Sequence, residues 1–156
     1  MRYDHRVLKS DYAGQDCSIA RTLEIVGERW TLLIVRDVLL GMGRFDQLQN
    51  NLGIARNVLA DRLSKLVRAG VLERVRYSER PERFEYRLTE KGRDLHVALT
   101  GLRQWGDKYL SEEPPRVLRR KSDKAPVVVA FVVQDTQVLR SDEIESVRAG
   151  SLATSD

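Results

Sequence analysis

The stretch GIARNVLADRLSKLVRAGVLERVRYSERPERFEYRL, residues 53–88, decides the fold. Its first half predicts an amphipathic helix over residues 55–69, because apolar side chains recur at the spacing of one helix face. These apolar residues are Leu59, Leu63, Leu66 and Val67. Gly70 then ends the helix, so the chain is free to turn into a different element.

Two short strands are predicted after this helix, over residues 71–77 and 84–88, with the charged turn SERPER between them. An amphipathic helix alone is typical of many buried helices. A helix followed at once by a two-stranded ribbon with basic residues in its turn is typical of a winged helix-turn-helix. In that motif the recognition helix enters the major groove and the ribbon, or wing, reaches the neighbouring backbone. We therefore expect double-stranded DNA as a partner.

Small and polar side chains cover the outer face of this helix, which suits close approach to DNA. Arginine and asparagine can make bidentate contacts to guanine and adenine edges. The candidate base contacts are Arg56, Asn57 and Ser64. The candidate phosphate contacts are Arg29, Arg44, Lys65, Arg80 and Arg83. The alternative for each of these cations is a solvated salt-bridge partner.

Helices are also predicted before the recognition helix. The first covers residues 18–27, with Ser18 as a candidate N-cap. Its buried face is expected to consist of Ile19, Leu23 and Val26. The second, from about residue 30 to 40, is almost wholly apolar and should lie at the centre of the fold. Trp30 at its start is expected to pack in the core rather than to stack on a ligand.

A third, short helix is expected to be the first half of the helix-turn-helix. Its apolar residues are Phe45, Leu48 and Leu52. Residues 51–54 should supply the turn to the recognition helix. Arg44, just before the short helix, is expected to begin a very small strand that joins the wing sheet.

A longer helix is predicted after the wing, from Thr89 as N-cap to about Leu110. Apolar side chains step along it by three and four residues over two heptads, as in the seam of a dimer. The seam residues are Leu95, Ala98, Leu102, Trp105 and Tyr109. We interpret this helix as a homodimer contact; the alternative is that it folds back on its own core. A small-molecule effector pocket lined by Trp30, Trp105 and Tyr109 is a weaker hypothesis.

The segment after the long helix begins with Pro114 and Pro115, which end the helix and start a linker. A basic stretch follows over residues 116–124. Beyond it we expect a strand, a turn at Gln134 and Asp135, a second short strand and a small helix capped by Ser141. The last residues are expected to be disordered.

The predicted fold class is mainly α, of the α+β type: a winged helix-turn-helix domain with a dimerisation helix and a small β-containing tail. The predicted division is an N-terminal arm over residues 1–16, the winged domain with its dimer helix over 17–111, and a linker and tail over 112–156.

Composition narrows the class of function. The 156 residues carry a net charge of +4 with a sequence pI of about 9.4, which fits a polyanionic partner. Residues 1–111 hold 20 basic and 15 acidic side chains, against 7 and 8 in residues 112–156. The single cysteine and two histidines, without a metal-binding motif, predict no metal site and no cofactor. No nucleophile–base pair can be assembled, so an enzyme is the least favoured class.

No apolar signal segment precedes the domain, and the longest apolar run is too short for a bilayer, so we expect a cytoplasmic protein without membrane contact.

The ordered motifs resemble the HxlR-type family of winged helix-turn-helix transcriptional regulators, within the MarR-like superfamily. They are Cys17, then LEIVGERWTLLIVRDVLLG, RFDQLQ, GIARNVLADRLSKLVRAGVLER and YRLTEKG. The resemblance covers about residues 17–110. It implies a homodimeric repressor on a palindromic operator, with recognition helices about 34 Å apart. Relatives often respond to oxidative or electrophile stress.

Two departures from the family pattern and one match to it bear on the site. Relatives often have serine where this chain has Ala55, so one phosphate contact is expected to be missing. Some relatives carry a cysteine-bearing ribbon after the dimer helix; this tail has no cysteine, so no zinc site is expected. Cys17 matches the sensing position of some relatives, and the start of a helix favours a reactive thiolate. Its alternative is a small apolar residue packed at the dimer interface.

A different class of function also remains open. The chain could be a protein-interaction module that has kept the winged-helix scaffold without binding DNA. Ala55 and the acidic Asp61 on the outer face of the recognition helix are compatible with that alternative.

Overall fold

The computed structural model describes residues 11–12, 14–114, 116–132 and 138–139 of the chain. Its helices are α1 (Ser18–Val26), α2 (Thr31–Leu39), α3 (Phe45–Leu52), α4 (Arg56–Arg68) and α5 (Glu90–Tyr109). Its strands are β1 (Leu72–Glu79), β2 (Glu82–Leu88), β3 (Phe131–Val132) and β4 (Val138–Leu139). The chain divides into two compact units, Met1–Leu99 and Thr100–Asp156. The predicted class, a mainly helical α+β fold with a winged helix-turn-helix, is confirmed.

The core of the first unit is built around α2 and α4. Its fully buried side chains include Ile34, Val35, Leu48, Leu59, Leu63 and Leu66. Burying one such aliphatic side chain contributes about 1.5–3 kcal/mol. The predicted central place of α2 is confirmed, and Trp30 packs, partly buried, against this core. The predicted inner face of α4 is confirmed as well, so the residues on the opposite side of that helix point away from the core.

The wing is a regular antiparallel pair. β1 and β2 pair from Leu72 opposite Leu88 to Glu79 opposite Glu82, with a bulge between Arg76 and Ser78. Both strands therefore extend further than predicted, because backbone pairing continues through the charged residues that looked like turn. As predicted, Arg44 adds a one-residue third strand by pairing with Glu85. The amide of Tyr86 supports it by donating to the Gly43 carbonyl at 2.7 Å.

Two local predictions about α1 were wrong. Ser18 is the first residue of α1 and not its cap, since the carbonyl of Cys17 accepts the first helical bond, from the Arg21 amide at 3.1 Å. Of the predicted buried face of α1, only Val26 is buried, whereas Ile19 is 71% exposed. The predicted bounds of α2 agree with Thr31–Leu39 to within one residue; Trp30 is its N-cap, with a φ of 80° in the left-handed region.

The start of α5 was predicted correctly. The Gly92 amide donates to the Thr89 hydroxyl oxygen at 3.1 Å, which makes Thr89 the cap. The same hydroxyl donates to the Gly70 carbonyl at 2.7 Å, and Lys91 Nζ donates to the Ala69 carbonyl at 2.8 Å. The C-terminal end of α4 is thereby tied to the N-terminal end of α5.

The second unit contains the rest of α5 and a short ribbon. Two antiparallel strands are present in the predicted tail region, with Phe131 opposite Leu139 and Val132 opposite Val138. The predicted turn at residues 134–135, the helix capped by Ser141, the disordered end and most of the N-terminal arm lie outside the described residues. Among the helices that the structure describes, none has the length and apolar character needed to cross a bilayer.

Candidate nucleic-acid interface

The outer face of α4 is open to solvent. Arg56 and Asn57 in its first turn are exposed, and Ser64 lies exposed two turns later. Ala60 between them is exposed too, so nothing bulky keeps the middle of the helix away from another surface. All three predicted base-contact residues therefore occupy one accessible face.

The N-terminal end of α4 has no side-chain cap, because Ala55 precedes it in an extended conformation. The backbone amides of a helix's first turn lack partners within the helix and carry partial positive charge. Such a helix start suits the approach of a phosphate group. Ala55 therefore leaves these first-turn amides without a side-chain partner at the cap position.

Aromatic rings contact the guanidinium groups of three candidate arginines, and two of these contacts lie at the start of α3. The guanidinium of Arg56 lies 4.9 Å from the centre of the Phe45 ring. That of Arg44 lies 4.6 Å from the centre of the Tyr77 ring in β1. Stacking of a guanidinium on an aromatic face is favourable and restricts the side chain's rotamers. The start of α3 therefore contacts Arg56 of α4 through Phe45, and Arg44 just before α3 lies against the wing.

Lys65, a candidate phosphate contact, forms the salt bridges that were its stated alternative. Its ammonium pairs with Glu28 at 2.9 Å and with Asp61 at 3.1 Å. Glu28 also pairs with Arg62 at 2.8 Å, and Arg62 pairs with Asp61. The hydrogen bond from Lys65 lowers the pKa of the Asp61 carboxyl, and the one to Glu28 raises the pKa of Lys65.

This charge network was missed by sequence reasoning. The Asp61–Lys65 pair has the four-residue spacing of a helical ion pair and could have been found. Glu28 lies 37 residues before Lys65 in the chain, and no local pattern connects the two.

The wing tip exposes Arg80 and Arg83, as predicted. Arg76, further down the ribbon, reaches Glu79 at 3.6 Å and Glu82 at 3.5 Å. The tip thus combines exposed arginines with acids that are already engaged by another arginine.

Arg29 is also exposed, next to the start of α2. Its guanidinium lies 5.1 Å from the centre of the Trp30 ring, and its carbonyl accepts a bond from Arg62 Nε at 3.3 Å. The segment before α2 therefore contacts α4 through both the backbone of Arg29 and the side chain of Glu28.

The candidate sensor, Cys17, is a free and half-buried thiol at the N-cap position of α1. Beside it, Asp16 and Arg21 form an ion pair at 3.0 Å. In the part of the chain that is described, no group of three or more histidine, cysteine or acidic residues could hold a metal ion.

The residues predicted to form the dimer seam fall into two groups. Leu95 is partly buried against the core of its own unit. Ala98 is exposed, and Leu102, Trp105 and Tyr109 are 56%, 58% and 60% exposed. The Trp105 and Tyr109 rings lie with their centres 5.5 Å apart. The alternative in which the helix folds back on its own core thus applies to Leu95.

Comparison with known proteins agrees with this geometry. A family model described as HxlR-like helix-turn-helix matches residues 25–114. An uncharacterised HTH-type transcriptional regulator of Mycobacterium tuberculosis is 58% identical over 104 residues, or 65% of this chain. The match covers 66% of that relative, just under two thirds of its length.

Two solved structures are also similar. The candidate transcription factor PA1607 superposes with a TM-score of 0.78 at 37% identity, over 87% of this chain and 97% of the other. The reduced form of the transcriptional regulator YodB from Bacillus subtilis gives a TM-score of 0.53 at 28% identity, over 62% and 97%. YodB has also been solved after diamide treatment. The resemblance stated from the motifs is confirmed: this chain belongs to the HxlR-like helix-turn-helix family.

Proposed function

We propose that the protein is a transcriptional regulator that binds double-stranded DNA sequence-specifically through α4 and the wing. The observation that carries the proposal is the open face of α4, on which Arg56, Asn57 and Ser64 surround a small residue, next to an uncapped helix start. Arg56 and Asn57 read base edges, and Ser64 adds a third polar contact. The exposed Arg29, Arg44, Arg80 and Arg83 bind phosphates, with Lys65 joining them when it leaves Glu28. Acting on chromosomal DNA, the protein works in the cytoplasm.

The regulator acts as a homodimer on a palindromic operator. Exposed apolar side chains on α1 and α5, such as Ile19, Trp105 and Tyr109, support a second copy as their partner. Two recognition helices one DNA turn apart, about 34 Å, require half-sites of matching separation. Occupying a promoter in this way blocks transcription, so we infer a repressor.

Cys17 is the candidate input for a redox or electrophile signal. Its place at the start of α1 fits, and the structural relative YodB has been studied in reduced and diamide-treated forms. Since Cys17 is the chain's single cysteine, an oxidant such as diamide can give an intersubunit disulfide or a mixed disulfide, and an electrophile can give an adduct with the thiolate. The alternatives are a packing role for Cys17 and a small-molecule effector as the signal.

The test is a mobility shift with DNA from the gene's own upstream region, at two salt concentrations, with and without diamide. We expect sequence-selective binding that weakens with salt and is lost on oxidation in wild type but not in Cys17→Ser. Release by diamide that is equal in both proteins would remove Cys17 as the sensor. The search would then turn to aromatic ligands, for which a thermal-shift screen is suited.

A protein-interaction module without specific DNA binding is the second candidate function. It is favoured by Asp61, a carboxylate on the face that would meet DNA, and by the missing hydroxyl at Ala55. Failure of wild type to select its own or neighbouring promoter DNA over a scrambled duplex would favour this module.

A further inference from the structure

The C-terminal unit contains a hairpin over residues 118–127, the basic hairpin, which precedes the β3–β4 ribbon in the chain. The Val127 amide donates to the Leu118 carbonyl at 2.9 Å, and the Arg120 amide donates to the Ala125 carbonyl at 2.8 Å. These bonds join the two arms of the hairpin, which is therefore an ordered ribbon with a tight turn.

The basic hairpin and the residues leading into it concentrate positive charge. Of residues 116–124, five are basic and only Asp123 is acidic. The basic residues are Arg116, Arg119, Arg120, Lys121 and Lys124, and all are exposed. The wing tip, residues 78–83, has two arginines and two glutamates, so its charges cancel. The more positive ribbon of this chain is thus the basic hairpin and not the wing.

The one acidic residue of the hairpin, Asp123, is ion-paired with Arg120 of the same hairpin. Arg120 Nε donates to Asp123 Oδ1 at 2.8 Å, and the hydrogen bond from Arg120 lowers the pKa of the Asp123 carboxyl. Among the described residues, no carboxylate lies within ion-pair distance of Arg116, Arg119 or Lys121. One ion pair therefore shapes the ribbon, while three cations stay available to an external anion.

We propose that the basic hairpin binds the phosphate backbone of double-stranded DNA, as a second basic ribbon in addition to the wing. The inference rests on the proposed DNA-binding function. Phosphate contacts from exposed cations fix a protein on the duplex and carry no sequence information. Each neutralised phosphate releases counterions and adds about 0.9 to the slope of log affinity against log salt. The hairpin thus supplies affinity, and α4 supplies selectivity.

The test removes two of the available cations and leaves the Arg120–Asp123 pair intact. The variant is Arg119→Gln with Lys121→Gln, and its matched control is Arg119→Lys with Lys121→Arg, which keeps both charges. Affinity is measured by fluorescence anisotropy between 50 and 200 mM salt, on a duplex from the gene's upstream region and on a scrambled duplex of equal length. Thermal melting by circular dichroism confirms that both proteins are folded.

For the charge-removed variant we expect binding weaker by roughly 10- to 100-fold at 0.1 M salt, and a salt slope smaller by about 2. The loss should be the same factor on both duplexes, and the charge-conserving control should match wild type. An unchanged slope and affinity in the charge-removed variant, with normal wild-type binding, would overturn the hairpin proposal alone.

Three further outcomes also decide against the hairpin proposal. A loss confined to the upstream duplex would mean that the hairpin reads bases and not phosphates. If the charge-removed variant binds DNA like wild type but no longer binds vesicles of anionic phospholipid that wild type binds, the hairpin would be assigned to a lipid surface. If wild type binds neither duplex, the proposed DNA-binding function fails, and the hairpin proposal falls with it.

Discussion

Lys65 in α4 is ion-paired to Glu28, in the connection between α1 and α2, with 2.9 Å between Nζ and Oε1. The same carboxylate reaches Arg62 at 2.8 Å. The helix proposed to read DNA is therefore tethered to the segment that leads away from the Cys17 helix. It follows that a DNA phosphate would have to compete with Glu28 for Lys65.

Replacing Glu28 by glutamine should tighten DNA binding. The variant Glu28→Gln removes one of the two carboxylates that compete for Lys65 and leaves Asp61 as the other. Lys65 therefore becomes more available for one phosphate contact. We expect a higher affinity at low salt and a salt slope steeper by about 0.9 per freed contact. Anisotropy titrations at several salt concentrations measure both quantities.

Two controls show whether this effect acts through Lys65. Glu73→Gln removes an equal charge from an exposed position on β1 and should change affinity much less. In a Lys65→Gln background, Glu28→Gln should have little further effect. Weaker binding by Glu28→Gln would show instead that the tether is needed to hold α4 in place.

The stabilisation from the Asp61–Lys65 pair should depend on pH only at the extremes. The Asp61 carboxyl has a lowered pKa, because Lys65 donates a hydrogen bond to it. Its contribution to stability is therefore present above the ordinary aspartate pKa of about 3.9, and it is lost as pH falls through the lowered value. Lys65 has a raised pKa, so its contribution is present below about 10.4 and is lost as pH rises through the raised value.

The matched variant for this pair is Asp61→Asn. Its difference in melting temperature from wild type should be constant between about pH 5 and 9, and it should shrink as the pH falls below about 4. Thermal melts across this range provide the measurement. A difference that changes near pH 6–7 would point to another titrating group.

Glycine is required at one position of α5 and dispensable at another. A Cβ on Gly92 would lie 2.2 Å from the Val71 carbonyl oxygen, which belongs to the backbone and cannot rotate away. The Gly92→Ala variant should therefore lose about 1–3 kcal/mol or more of unfolding free energy. A Cβ on Gly101 would meet nothing within 4 Å, so Gly101→Ala should gain up to about 1 kcal/mol from helix propensity. Urea unfolding of both variants tests this opposition, which equal losses would contradict.

Local periodicity correctly predicted the helices whose apolar side chains pack into the core of the first unit. The inner face of α4, the central place of α2 and the cap at Thr89 were all found from spacing and residue type alone. The exposed Ile19 of α1 was predicted to be buried, because an apolar residue on an open helix face has the same spacing as one that faces the core. Sequence spacing cannot distinguish these two roles.

Contacts between distant segments were the other part that sequence could not supply. The tether from Glu28 to α4 depends on how the connection between α1 and α2 packs, which no periodicity encodes. The left-handed conformation of Trp30 is also unexpected from its residue type, since bulky side chains rarely adopt positive φ. Both features lie in one short connection, whose structure is set by packing and not by local preference.

A fully buried carboxylate, that of Asp37, links α2 to α3. Asp37 in α2 is 2.7 Å from Arg36 Nη2 and accepts a hydrogen bond from Asn51 Nδ2 of α3 at 2.7 Å. Asp37→Ala removes the acceptor of the hydrogen bonds from both Arg36 and Asn51, while the Arg36 side chain stays 44% exposed to solvent. Asn51→Ala removes one of these hydrogen bonds to a charged group. Asp37→Ala should therefore destabilise by about 3 kcal/mol, and Asn51→Ala by about 1.5–3 kcal/mol.

The two changes should not add. Once Asp37 is gone, Asn51 has lost the carboxylate to which it donates, so the double variant should be little worse than Asp37→Ala alone. The control is Asn50→Ala, an exposed neighbour in α3, which should change the unfolding free energy by less than about 0.5 kcal/mol. Urea unfolding of the four proteins gives the coupling energy directly. Full additivity would mean that the Asp37–Asn51 hydrogen bond contributes nothing to holding α2 against α3.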